Sequence, residues 1–146
     1  MMEEQINGRN LIDQLRAAFP ELEGRYEERV TFWGREQSPS NYDVLGSVFR
    51  PKVRQELEKG ERTDFLRRAA TFIERVCTSG DAEAINVVWI EVFEWLIFRR
   101  KELELLWPAL GPMTKAAIRD AAQRWSKAGG YFGHTEGLPE DNLPTE

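Results

Sequence analysis

The sequence predicts an all-α protein, a compact stack of helical hairpins with about six or seven helices. Three observations carry that expectation. Apolar residues recur at three- and four-residue spacing from Leu11 to Trp125. The segments so marked are separated at short intervals by Gly, Pro and capping residues. No stretch shows the period-two alternation of a half-buried strand. Helix pairs on short turns invite comparison with HEAT-like arrays. No period of about 34 or 40 residues is present, so the packing is expected to be HEAT-like without a regular repeat.

Leu11, Ile12, Leu15, Ala18 and Phe19 mark a first helix over 10–19, with Asn10 as N-cap and Asp13 as the acidic residue at N3. Pro20 can open a second helix, with Leu22, Tyr26, Val30 and Trp33 on one side and Gly34 ending it. Residues 35–41 are polar, contain Pro39 and read as a loop. In the next segment Pro51 should kink or restart a helix that leaves at Gly60. Thr63 then caps a strongly amphipathic helix whose stripe is Phe65, Leu66, Ala69, Phe72, Ile73, Val76 and Cys77. Ser79-Gly80-Asp81 closes it and caps the helix of the run INVVWIEVFEWLIF, residues 85–98. The stretch ELELLWPALGP gives a short helix broken by Pro108 and finished at Gly111. A last helix opens at Pro112 or Met113, carries Ile118, Ala121, Ala122 and Trp125 on one stripe, and stops at Gly129-Gly130.

A chain of 146 residues fits one domain, since domains typically run to about 100–150 residues. The expected division is a single helical domain over 1–130 followed by an acidic tail over 131–146. Hydrophobic content of 41% with five Trp and eight Phe is too high for a disordered chain, and 31% charged residues favour solubility. The amino-terminal MMEEQINGRN lacks the basic start and apolar core of a secretory leader, and the longest apolar run is broken by Glu91 and Glu94. Neither secretion nor membrane insertion is expected. Cys77 is the only cysteine, which suits a reducing cytoplasm. A net charge of −5 has the wrong sign for general phosphate-backbone binding, so nucleic acid is not an expected partner. Most of that charge lies in the tail, where Glu136, Glu140, Asp141 and Glu146 have no Lys or Arg among them.

Asn86, Glu91 and Glu94 are the polar residues of the 85–98 run. At about 100° per residue Glu91, Glu94, Val87 and Phe98 share one flank, and Asn86 lies nearly opposite Glu91. A helix apolar almost all round belongs in the middle of a domain, so these groups should reach a seam or find partners inside. As metal ligands Glu91 and Glu94 lack the paired Glu-x-x-His of bundle di-metal sites, for the only His is His134. As hydrolytic carboxylates they lack supporting motif. Arg67, Arg68 and Arg75 of the preceding helix are available partners. Cys77 lies on an apolar stripe, with no G-x-S-x-G elsewhere and no phosphate-loop glycine pattern. No metal, cofactor or catalytic residue is therefore expected.

Trp89, Trp95 and Trp125 fall on faces expected to be internal, whereas Trp33 and Trp107 lie beside helix ends. An exposed Trp is favoured at binding hot spots, although for Trp107 capping the core is the stronger reading. The tail reads either as a loosely packed terminus or as an acidic arm whose Tyr131, Phe132 and leucines dock on a basic partner.

From Phe72 onward, FIERVCTSGDAEAINVVWIEVFEWL followed by LWPALGP resembles a family of small all-helical bacterial proteins of unassigned biochemical function. Members of such groups occur beside polymorphic-toxin genes and are taken as candidate immunity proteins. Phe72, Glu74, Gly80-Asp81, Asn86, Phe93-Glu94, Leu96 and Leu110-Gly111-Pro112 carry the resemblance, with Phe19-Pro20-Glu21-Leu22 at the amino-terminal pair. It covers about 110 residues and implies the helical fold more firmly than a function. It also implies that Asn86, Glu94 and Glu74 are structural polar anchors, so that Glu94→Ala should destabilise the protein by about 1–3 kcal/mol.

The expected function is a non-enzymatic, cytoplasmic immunity protein that occludes a cognate toxin, helped by electrostatic steering if that toxin is basic. The expected contacts are Trp107, Tyr131, Phe132, Glu136, Glu140 and Asp141, with the 35–43 loop. The alternatives are a helical adaptor without a toxin partner and a carboxylate-dependent hydrolase built on Glu91 and Glu94.

Overall fold

The computed structural model describes residues 4–34 and 37–127, and among them the chain forms seven helices and no strand. Helix α1 is Leu11–Ala18. Helix α2 begins as a 3-10 turn, Pro20–Leu22, and continues as Glu23–Trp33. Helix α3 covers residues 41–57, α4 is Asp64–Thr78, and α5 covers residues 82–96. Helix α6 is Arg100–Leu106, running into a 3-10 turn at Trp107–Ala109, and α7 is Pro112–Lys127.

Several ends obey the sequence signals. Thr63 accepts from the Leu66 N–H and Asp81 from the Ala84 N–H, while Gly34, Gly60 and Gly80 take positive φ at the exits of α2, α3 and α4. Asn10 departs from expectation. Its side chain accepts from the Asn7 N–H and donates to the Gln5 carbonyl, so it braces the preceding turn and does not cap α1. Ser40 caps α3 instead, accepting from the Asp43 N–H at 3.0 Å.

Helix α4 is the centre of the stack, packing against α1, α3, α5 and α7 with eight buried side chains. Phe65 and Phe72 of α4 meet Phe19 and Phe49 in a four-ring cluster with centroids 5.1–6.4 Å apart. The 85–98 run was expected at the centre, yet α5 has an outer side. Ile90 and Phe98 are exposed, and Trp89, Trp95 and Trp125 are half-buried.

Two π-helical turns interrupt the stack. One, Leu45–Phe49, lies in α3; the other, Trp89–Phe93, lies in α5, and the two pack against each other. Each inserts a residue into the helical register and rotates the residues beyond it away from the positions of a regular helix. Pro51 gives the first a cause, since it lacks an N–H and its ring crowds the carbonyl of Ser47. At the crossing, Gly46 faces Glu91 so closely that a Cβ would overlap the carboxylate. Arg50 then ties the two turns together, donating to the Glu91 carbonyl at 2.9 Å and pairing with its carboxylate at 3.5 Å.

A second cross-link fixes α7. Glu74 of α4 accepts from the Thr114 N–H (2.9 Å), the Thr114 hydroxyl (2.7 Å) and the Met113 N–H (3.2 Å). It satisfies orphan donors at the start of α7 from another helix. Gly111 makes room for it, because a Cβ there would overlap the Glu74 side chain. None of the described helices is long and apolar enough to cross a membrane.

Candidate protein-interaction site

Helix α2 is the one long helix without a fully buried side chain in its α-helical part, and it ends in Phe32 and Trp33. Phe32 is 69% exposed and Trp33 is 42% exposed, the first being the most exposed large apolar side chain among the described residues. Such a pair would normally be mobile. Here it is held on Asp43, which the Ser40 cap places in the first turn of α3, opposite the end of α2.

Arg29 donates to both Asp43 oxygens, from Nε at 3.0 Å and from Nη2 at 2.5 Å, a fork that fixes both planes. The Trp33 indole N–H donates to Asp43 Oδ2 at 3.1 Å, and the Ser47 hydroxyl to Oδ1 at 3.4 Å. The Arg29 guanidinium lies 4.5 Å from the centre of the Phe32 ring, and the Phe32 and Trp33 rings meet edge to face at 5.7 Å. Hydrogen bonding from Arg29 holds the Asp43 carboxyl below its usual range against an opposing effect of burial, and the Trp33 and Ser47 donors act in the same direction as Arg29.

The arrangement can present a large apolar area in one geometry, so less rotamer freedom is lost when a partner covers it. On the outer side of α2, one turn back, Glu27 and Glu28 are exposed and form no ion pair with a described residue. The site is thus two aromatic rings, an arginine and two exposed carboxylates. Trp, Tyr and Arg are the residues enriched at interface hot spots.

The predicted contact residues fall differently. Trp107 is fully buried, with Lys115 and Arg119 over its ring at 5.6 and 5.9 Å, and its indole N–H has no hydrogen-bond partner among the described residues. It closes the core beneath the 3-10 turn and cannot serve as a surface contact. Tyr131, Phe132, Glu136, Glu140 and Asp141 lie outside the described residues. Trp33, singled out for its place beside a helix end, is exposed as that reading anticipated.

Of the three polar anchors, Glu74 is one, through its bonds to Met113 and Thr114. Asn86 is exposed and makes a single bond, donating to the Tyr42 hydroxyl at 2.8 Å. It links α5 to α3 at the surface and is not an internal point. Glu94 is half-buried and forms no hydrogen bond or ion pair with a described residue, so the anchor role expected of it is corrected. The π turn before it changes its phase on α5. The anchoring position is Glu91, whose backbone and side chain both engage Arg50.

Cys77 is buried, and burial pushes its thiol up to about 11 despite a hydrogen bond with Thr114. Among the described residues no three His, Cys, Asp or Glu side chains group as metal ligands. Arg29 and Phe32 escaped sequence reasoning, whereas Asp43 falls at the end of the 35–43 segment expected to make contact. The available signal was the i, i+4 spacing of Arg29 and Trp33 opposite a Ser-x-x-Asp helix start.

Residues 12–126 match the model of a family described as a domain of unknown function, DUF7674. No curated protein and no solved structure matches the chain.

Proposed function

We propose that this chain, which belongs to the DUF7674 family, is a cytoplasmic immunity protein that neutralises a cognate bacterial toxin by stoichiometric binding and has no catalytic activity of its own. The observation that carries the binding part is the exposed Phe32–Trp33 pair, fixed on Asp43 by Arg29. A soluble domain with no partner gains nothing from holding two large apolar rings rigidly in solvent. The toxin part rests on the resemblance of the 72–112 segment to small helical proteins encoded beside polymorphic toxins.

Partner chemistry can be read from the surroundings. Glu27 and Glu28 beside the aromatic pair favour a partner that brings lysine or arginine to the rim, where complementary charge raises the association rate. The rings would insert centrally and the carboxylates would steer.

The test is co-expression with the toxin encoded next to the gene. Wild-type protein should protect the cells and co-purify with the toxin in a one-to-one complex. Phe32→Ala/Trp33→Ala should remain folded and lose protection. Cells that die equally with and without the wild-type protein would overturn the toxin reading. Recovery of a housekeeping protein through the same pair, without protection, would assign the chain to the adaptor class instead.

A further inference from the structure

A groove of about 520 Å³ runs between α2, α3 and α5, lined by Arg25, Arg50, Arg54, Gln55, Glu58 and Trp95 together with Gly46 and Pro51. It lies beside the crossing of the two π turns, where Gly46 and Arg50 meet Glu91, and π turns frequently mark functional sites. Gly46 and Arg50 come from the first turn and its exit, and Trp95 from the residues just after the second.

The three arginines differ in what holds them. Arg50 is committed to Glu91 through backbone and side chain. Arg54 pairs with Glu58 at 3.2 Å, with the two side chains 59% and 52% exposed, and a pair so exposed contributes little. Arg25 donates to the neutral Gln55 Oε1 at 3.1 Å and has no carboxylate partner among the described residues. The groove therefore offers one uncompensated guanidinium, a second released by exchanging one exposed carboxylate for another, and an indole wall.

Contiguity selects the class of ligand. Arg25 lies one helical turn before Arg29 on α2, and Gly46 adjoins Ser47, the donor to Asp43 on α3. The groove and the aromatic cluster lie along one hairpin, at about 12 Å by the helical rise from residue 25 to residue 33. A small anion would use the groove alone. A macromolecular footprint anchored on Phe32 and Trp33 extends over both.

We infer that the groove receives an acidic segment of the protein partner, its carboxylates on Arg25 and Arg54 and an adjoining side chain against Trp95. The inference rests on the proposed binding function and adds the chemistry of one element of the partner: a carboxylate-bearing loop, lying inward of the basic rim that faces Glu27 and Glu28.

Titration of the ¹⁵N-labelled protein with a ten-glutamate peptide, and with a ten-lysine peptide as control, tests it without any toxin. The glutamate peptide should saturate, with shift changes confined to the amides of Arg25, Gly46, Arg54 and Gln55 and the indole of Trp95. Arg25→Ala and Arg54→Ala should each weaken it about two- to fivefold, in keeping with the loss of one solvent-exposed ion pair. Phe32→Ala/Trp33→Ala should leave peptide binding unchanged, which separates this inference from the proposed toxin contact. No saturable binding, changes mapping elsewhere, or full affinity in both arginine variants would overturn it. Should either arginine variant unfold, the shift map of the wild-type protein still decides.

Discussion

Glu74 reaches from the central helix to the first turn of α7 and takes both the backbone N–H and the hydroxyl of Thr114. Thr114 is fully buried, so losing the carboxylate leaves buried donors without partners. Glu74→Ala should destabilise the protein by about 2 kcal/mol, a fall in Tm of about 6 °C by calorimetry or circular dichroism. Gly111→Ala should also destabilise, because the added methyl displaces the carboxylate it was shaped around. In a double-mutant cycle the two effects should be less than additive.

Glu94 and Asn86 should behave differently from Glu74. With no described partner for Glu94 and one exposed bond for Asn86, Glu94→Ala and Asn86→Ala should each change stability by less than about 0.5 kcal/mol in urea unfolding. Glu91→Ala should cost more, since it removes the carboxylate that Arg50 pairs across the π-turn crossing.

These contrasts show what the sequence could and could not reveal. Thr63, Asp81, Gly34 and Gly80 act through local chemistry, so the helix ends they mark were legible. The stripe of α4 was legible because a regular helix keeps its phase over fifteen residues. The side chains after Trp89 were not, because one π turn alters the phase on which the reading of Glu94 depended. Asn10 was misjudged because its side chain had a competing local partner in Asn7. Trp107 has the composition of a hot spot but lies under Lys115 and Arg119. The Asp43 cluster joins two helices through tertiary geometry, which residue spacing on either helix does not encode.

Glu56 provides a pH signature. Almost fully buried, it is bonded by Lys52 at 2.8 Å and Lys59 at 2.9 Å, and these hydrogen bonds, with one from Thr63, bring its carboxyl down from 4.5 to about 2. Because the folded value lies below the unfolded one, its contribution is complete above about pH 5 and is lost as pH falls toward 2. The linkage amounts to at most about 3 kcal/mol. Wild-type stability should therefore decline between pH 5 and 2 in chemical unfolding, and Glu56→Gln should be less stable at neutral pH with a shallower decline. Asp43 and Glu21, also lowered, add to the slope in the same direction.

The claim on which the functional account turns is that the Phe32–Trp33 pair, held on Asp43, is the binding anchor. Isothermal titration of the purified toxin into wild-type protein and into folded Trp33→Ala tests it most directly. The account predicts a one-to-one complex whose affinity falls at least a hundredfold in the variant, a loss of about 3 kcal/mol or more, of the size expected for a hot-spot residue. Equal affinity for the two proteins, with unfolding curves that coincide, would contradict it.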